Sequence, residues 1–125
     1  MANTNRPKHL NLMQIRLPIP GIVSILHRVS GFGLFIMAWV LLGLLCMSLD
    51  SPESFERAKE CLTSTIGKLF VLGIAWAFLH HFCAGIRFLL LDLHVGTELS
   101  AARKSSAAVL VVSLALTILV GVALW

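Results

Sequence analysis

Three long runs of apolar residues constrain the fold of this chain more than any other feature. They extend from Ile19 to Leu49, from Ile66 to Leu91 and from Ala107 to Trp125. A helix needs about 20 residues at 1.5 Å per residue to cross the hydrocarbon core of a bilayer. Because 58% of the 125 residues are hydrophobic and only 13% are charged, the chain also lacks the polar surface of a soluble domain. The sequence therefore predicts an all-α integral membrane protein of one domain, residues 1–125, with three transmembrane helices at about 20–49, 66–92 and 104–125.

The basic residues flank these runs and predict their orientation. The N-terminal tail and the second loop hold five of them, whereas the first loop holds three. The five are Arg6, Lys8, Arg16, Arg103 and Lys104, and the three are Arg57, Lys59 and Lys68. Since basic residues are enriched on the cytoplasmic side of membrane spans, we expect a cytoplasmic N-terminus and a periplasmic C-terminus. The net charge of +4 then reflects membrane topology, and because there is no basic run we expect no nucleic-acid partner.

The N-terminal segment has none of the features of a removable targeting peptide. The apolar run that follows it is longer than a signal-peptide core, and no small-residue cleavage site is evident. The tail is also too short and too poor in arginine and serine for a mitochondrial transit peptide. We therefore expect a retained N-terminus and a location in the bacterial inner membrane.

Within the second apolar run, the stretch from Leu69 to Leu91 carries three basic side chains, His80, His81 and Arg87. Such groups are costly inside a membrane, so they usually face a cavity, a partner or a cofactor. His81 is followed one turn later by Gly85, where the missing side chain would let a flat macrocycle lie close to the helix. Imidazole is a common ligand of haem iron, so this pattern favours a membrane haem site at His81. The alternative is that both histidines only form hydrogen bonds between helices. For His80, which is turned about 100° away from His81 around the helix, we expect such a bond to a neighbouring helix.

The first apolar run carries a second polar set, Ser24, His27, Arg28 and Ser30. Ser24 and Arg28 are four residues apart and share a helix face, while His27 and Ser30 lie on an adjacent face. If the helix starts near Pro20, Arg28 lies ~12 Å inside it, which is deep for a side chain that only snorkels to the interface. A buried arginine calls for an acidic group, a propionate or a polar ligand.

The first loop predicts a short additional helix. Ser51, Pro52 and Glu53 form a helix-start signal, and an apolar face continues through Leu62. The three cysteines, Cys46, Cys61 and Cys83, form no CxxC motif, so the sequence predicts neither a disulfide framework nor a cysteine metal site.

Together these residues resemble the cytochrome b membrane-anchor subunit of succinate dehydrogenase, respiratory complex II. The resemblance covers essentially the whole chain and rests on two elements, SxxHRxSG from Ser24 to Gly31 and HxxxGIR from His81 to Arg87. Further matches are Arg6-Pro7 with Leu10 and Leu12 near the N-terminus, and Asp92 after the second span. Either element alone would be weak, whereas the two together are specific.

The resemblance implies a function for the polar residues. In that family one haem b is held by one histidine from each of two small membrane subunits, and His81 matches this subunit's ligand to the iron. Ser24 and Arg28 match residues of the ubiquinone site, and His27 and Arg28 match residues near the haem propionates. The implied partners are the second anchor subunit, an iron–sulfur subunit, a flavoprotein subunit and the lipid bilayer. Electrons then pass from succinate through flavin and clusters to quinone.

One departure and two alternatives accompany this resemblance. Many relatives have a histidine directly after the Gly-Ile-Arg element, where this chain has Phe88. The chain has no nucleotide loop, cysteine cluster or paired carboxylates, so it contributes no catalytic residue and cannot oxidise succinate alone. The alternatives are the anchor of a fumarate reductase, and a haem-free helical scaffold or assembly protein that uses the same residues only for packing.

Overall fold

The computed structural model describes residues 15–125, and all of its regular structure is helical. The four helices are α1 (Ile19–Asp50), α2 (Pro52–Thr63), α3 (Thr65–Asp92) and α4 (Leu99–Leu124). Three of them, α1, α3 and α4, are long and apolar enough to cross a membrane. The prediction of an all-α protein with three membrane-length helices is therefore confirmed, whereas the orientation of its termini stays a prediction. Arg6, Pro7, Lys8, Leu10 and Leu12, which entered the resemblance or the orientation, lie outside the described residues.

The boundary between α1 and α2 follows from the sequence signals at Ser51 and Pro52. Ser51 has an extended backbone, which ends α1. Its side-chain oxygen accepts a hydrogen bond from the Ser54 amide at 3.2 Å, and Pro52 occupies the first turn, where its missing N–H costs little. The short helix that the sequence predicted in the first loop is therefore present as α2, and its residue Ala58 is buried.

The junction between α2 and α3 depends on Gly67. Ser64 caps α3 by accepting a hydrogen bond from the Gly67 amide at 3.0 Å. A β-carbon on Gly67 would collide with the backbone carbonyl oxygens of Cys61 and Leu62, which cannot move without unwinding the end of α2. Glycine is therefore required at this position by the close approach of the two helices.

We expect Gly67→Ala to destabilise the protein by about 1–3 kcal/mol, the usual cost of forcing an added carbon into a packed site. The measurement is the thermal unfolding midpoint of the detergent-solubilised protein. Gly43→Ala is the matched control, because a β-carbon at Gly43 meets no atom within 4 Å. Equal midpoints for the two variants would contradict this account of the junction.

Helix α3 lies at the centre of the bundle and packs against the other three helices. Its contact with α4 is made by the small or polar residues of α4, of which Ser106, Ser113 and Thr117 are buried. Their hydroxyls donate hydrogen bonds to carbonyls three or four residues earlier in α4, so they are satisfied without a partner on α3. Small residues of this kind let membrane helices approach closely.

Helix α4 begins at Leu99, several residues before the position near 104 expected from hydropathy. The reason is that the helical backbone of α4 begins before the apolar segment that crosses the membrane. Arg103 and Lys104 lie within α4 but are exposed. Hydropathy marks the part of a helix that crosses hydrocarbon, whereas backbone hydrogen bonding extends the helix into the polar interface.

The apolar interior of this chain is small. Val23, Ala84 and Val109 form its buried apolar cluster, with Cys83, Phe88 and Leu110 packed around it. Most large apolar side chains instead point outward, as at Phe32 with 68% of its surface exposed and Trp39 with 65%. Such a surface suits lipid or other apolar protein, and it would be untenable in water.

Candidate functional site

The candidate site lies where α1 crosses α3, at His27 and His81. The two imidazole rings are stacked, with centroids 4.1 Å apart and planes inclined by 8°. Helices α1 and α3 pack together at this point. Phe88, two turns further along α3, lies against His27 with a centroid distance of 5.1 Å.

The orientation of His81 is set by groups on α1. Its Nδ1 atom lies 3.0 Å from the backbone carbonyl oxygen of His27 and 3.3 Å from Oγ of Ser30. Ser30 itself donates to the same carbonyl at 2.9 Å. Because a carbonyl oxygen only accepts, Nδ1 must carry the proton, and the lone pair of the neutral ring is left on Nε2. Between Ile15 and the C-terminus, no residue hydrogen-bonds Nε2.

Gly31 makes this close packing feasible, whereas Gly85 makes only an ordinary contact. A β-carbon on Gly31 would lie 2.7 Å from Cε1 of His81, closer than side-chain packing allows. On the other helix, a β-carbon on Gly85 would lie 3.7 Å from Nε2 of His27. The expected open face beside Gly85 is therefore covered by the His27 ring in this structure.

A second part of the site is a cavity of about 220 Å³ lined by Ser24, His27, Arg28 and Phe88. Ser24 and His27 are half-buried, and Arg28 is exposed. Arg28 has no acidic side chain within 4 Å in the described part of the chain. The structure thus brings together three of the four polar residues that the sequence singled out on α1, with an aromatic wall from α3.

His80 and Arg87 face away from this site. His80 is fully buried and stacks on Trp76 with a centroid distance of 5.5 Å. His80 lies beside the backbone of Val23 on α1, and neither of its ring nitrogens has a well-formed hydrogen bond among residues 15–125, so the expected bond to another helix stays a prediction. Arg87 is also buried, and its Nε atom donates to Oγ of Ser105 on α4 at 3.0 Å.

No group of three or more histidine, cysteine or acidic side chains comes close enough to hold a metal ion in the described segment. The three cysteines are free, so the expectation of no disulfide agrees with the structure.

Ser30, Gly31 and Phe88 belong to the site but received no role from the sequence alone. Ser30 and Gly31 are part of the SxxHRxSG element, which is the signal that could have identified them. Their contacts span about fifty positions of the chain, and local spacing gives no information on such pairs. Phe88 shares a helix face with His81 and Gly85, so its position on the site was accessible from periodicity.

Comparison with known proteins agrees with the geometry. Residues 2–120 match the family model described as the succinate dehydrogenase/fumarate reductase transmembrane subunit. The succinate dehydrogenase cytochrome b556 subunit of Coxiella burnetii is 37% identical over 124 residues, covering 98% of this chain and 99% of the relative. The subunit of the same name from Paracoccus denitrificans is 34% identical over 119 residues, covering 92% and 88% of the two chains. That from Rickettsia felis is 31% identical over 117 residues, covering 94% and 91%.

Three membrane-length helices and this series of bacterial relatives identify a multi-pass protein of the bacterial inner membrane. The match extends over nearly the whole chain, and it includes both polar elements that face each other across α1 and α3. The chain accordingly belongs to the family of succinate dehydrogenase/fumarate reductase transmembrane subunits, as a cytochrome b anchor subunit of complex II.

Proposed function

We propose that this subunit binds haem b through His81 together with a second small membrane-anchor subunit, and that it forms part of a ubiquinone site with Ser24 and Arg28. In this role it passes electrons from succinate oxidation to quinone within the assembled enzyme and is not catalytic alone. The observation that carries the proposal is the hydrogen bond between Nδ1 of His81 and the His27 carbonyl. Metal-bound histidines almost always donate their second ring N–H in this way, which fixes the ring and directs the free nitrogen at the metal.

His81 is the only histidine of the pair at α1 and α3 that fits an axial ligand. When bound, haem b supplies a one-electron centre inside the membrane. The rings of His27 and His81 are stacked face to face, and only His81 has its Nδ1 atom held by a backbone carbonyl, so His81 is the residue of the pair that would hold the haem iron. His80 is the preceding residue of the same helix, and it is fully buried on a different face. A second ligand from the partner anchor subunit is therefore part of the proposal.

Two further residues suit the anionic edge of the cofactor. His27 lies against His81, and Arg28 is an exposed cation on the next position of α1. A guanidinium can donate two parallel hydrogen bonds to a carboxylate, which makes Arg28 a suitable partner for a propionate. His27 offers a ring nitrogen for the same purpose.

The cavity of about 220 Å³ beside these residues has the chemistry of a quinone headgroup site. Phe88 provides an apolar wall for the ring, and the Ser24 hydroxyl and the Arg28 guanidinium are hydrogen-bond donors at its edge. A donor that is already in position stabilises the negative charge that develops on a carbonyl oxygen as it accepts electrons. Arg28 is the stronger of the two because it carries a full charge.

Gly31→Ala tests the link between α1 packing and His81. The added carbon would force the imidazole to move and break its hydrogen bond to His27, and the loss of such a supporting bond typically costs about 10–100-fold in metal affinity. We expect purified complex to contain correspondingly less haem b per flavin. Gly33→Ala is the matched control, because a β-carbon there meets nothing within 4 Å. Equal haem contents in the two variants would contradict this link.

The proposal as a whole is tested by a reduced-minus-oxidised visible spectrum of the affinity-purified complex. We expect sharp b-type bands, and a featureless spectrum from an intact four-subunit complex would favour the haem-free scaffold. Because the family includes fumarate reductases, turnover with ubiquinone and with a low-potential menaquinone should be compared in the same preparation. The relatives described above are all named as succinate dehydrogenase subunits, which favours ubiquinone reduction.

A further inference from the structure

Arg87 is a buried cation without a counter-ion in the described part of the chain. Only 6% of its surface is exposed, and no acidic side chain lies within 4 Å of it among residues 15–125. Its Nε atom donates to Oγ of Ser105 at 3.0 Å, and Nη2 lies 3.5 Å from the Ala102 carbonyl oxygen. These contacts satisfy part of its hydrogen-bonding capacity but leave its charge uncompensated, which is costly in a low-dielectric environment.

The haem and quinone groups proposed above do not supply the missing charge. His81 faces α1, whereas Arg87 contacts the first turns of α4. The guanidinium carbon lies 5.3 Å from the centroid of Phe88, and Phe88 also lines the cavity beside Arg28. Phe88 thus stands between Arg87 and that cavity.

Arg87 instead borders a separate cavity of about 250 Å³ between the end of α3 and the start of α4. Its walls include the apolar side chains of Ile86, Leu90 and Val95, together with Ala101 near the start of α4. Because Val95 belongs to the loop that connects the helices, the cavity lies at the end of the bundle, at the level of a membrane interface.

Between residues 87 and 105, which connect α3 to α4, the chain has three arginines or lysines and two acidic residues. Arg103 and Lys104 are exposed on α4, directly between Ala102 and Ser105, the two residues that hold Arg87. The nearest acidic residues along the chain are Asp92 and Glu98, which are exposed and not paired with Arg87. A buried arginine, two interfacial basic residues and an apolar cavity together complement a molecule with a phosphate and a hydrocarbon chain.

We propose that this cavity binds an anionic phospholipid, whose phosphate pairs with Arg87 and whose acyl chain lies against the apolar wall of α3. A phospholipid fits better than the carboxylate of a partner protein, because the cavity is lined mainly by apolar side chains at membrane level. The lipid site does not rest on the haem and quinone assignments, since it uses a different face of α3.

The test uses the intact, delipidated complex in detergent, titrated with phosphatidylglycerol and followed by native mass spectrometry. Phosphatidylcholine with the same acyl chains and inorganic phosphate are the comparison ligands. We expect the wild-type complex to bind phosphatidylglycerol at least about tenfold more tightly than either comparison ligand. Phosphatidylcholine has the same phosphate, but the nearby basic residues repel its choline cation, and inorganic phosphate lacks the acyl chains. Arg87→Gln should remove this preference, whereas Arg57→Gln on α2 should keep it.

Ala101→Leu provides a second variant in case Arg87→Gln fails to assemble. It fills part of the cavity and leaves Arg87 intact, so we expect it to weaken phosphatidylglycerol binding about tenfold or more as well. The haem spectrum recorded from the same samples should not change, which separates this site from the proposed function. Three results would overturn the proposal. They are an unchanged phosphatidylglycerol affinity in the assembled variants, equal binding of phosphatidylcholine by the wild type, and a carboxylate of another subunit paired with Arg87 in the complex.

Discussion

Replacing His81 with alanine is expected to abolish the low-spin b-type spectrum of the purified complex. The substitution removes the ring whose free nitrogen is directed by the Nδ1 hydrogen bond to α1, and neither neighbouring histidine is oriented to replace it. A bis-imidazole iron that loses one ligand cannot remain low-spin with the same axial field. The measurement is the reduced-minus-oxidised difference spectrum, together with the ratio of haem b to flavin.

The matched control for this prediction is His94→Ala. His94 is an exposed histidine in the α3–α4 loop, so its removal changes the histidine content without touching the α1–α3 contact. We expect normal spectra from His94→Ala and normal assembly of all subunits in both variants. Low-spin bands of wild-type intensity in His81→Ala would refute the assignment of the iron ligand.

Arg28→Leu is expected to lower succinate–ubiquinone turnover by about 10²–10³-fold, the usual effect of removing one preorganised donor from developing negative charge. Because Arg28 is exposed and makes no ion pair in the described residues, its loss should leave the helix packing intact. The reduction of a water-soluble artificial acceptor by succinate does not need the quinone site, so this activity should be retained. The ratio of the two activities is therefore the informative quantity.

Arg57→Leu serves as the control for Arg28, since Arg57 is an exposed arginine on α2, far along the chain from the cavity. We expect its two activities to match those of the wild type. Arg28→Lys should recover part of the quinone turnover, because lysine keeps the charge but not the planar pair of donors. Unaltered ubiquinone turnover in Arg28→Leu would remove Arg28 from the quinone site.

The membrane helices could be predicted from the sequence because crossing a bilayer is a local requirement on each segment. The bounds of α1 and α3 agree with the apolar runs, and Ser51-Pro52-Glu53 marked the start of α2. The beginning of α4 was missed since polar residues such as Arg103 continue the helix outside the hydrocarbon layer. Helical hydrogen bonds and membrane insertion follow different rules, and hydropathy reports only the second.

The site was only partly predictable, because its decisive contacts join distant parts of the chain. Helical periodicity placed Ser24 on the same face as Arg28, and both line one cavity. The support of His81 by Ser30 and the clearance at Gly31 could not be derived from spacing. The burial of His80 beside the Val23 backbone of α1 could not be derived from spacing either. Local patterns assign faces of a helix, and only packing determines which faces meet.

The hydrogen bond between His81 and the His27 carbonyl has a consequence for assembly of the enzyme. The acceptor belongs to the backbone of α1, whereas the donor projects from α3, so the direction of the free nitrogen depends on the axial registry of the two helices. A slip of one residue along either axis moves the carbonyl by ~1.5 Å, which stretches and misaligns this hydrogen bond. The visible absorbance of bound haem b would then report on the registry of α1 and α3, and subunits with a shifted registry would lack this absorbance.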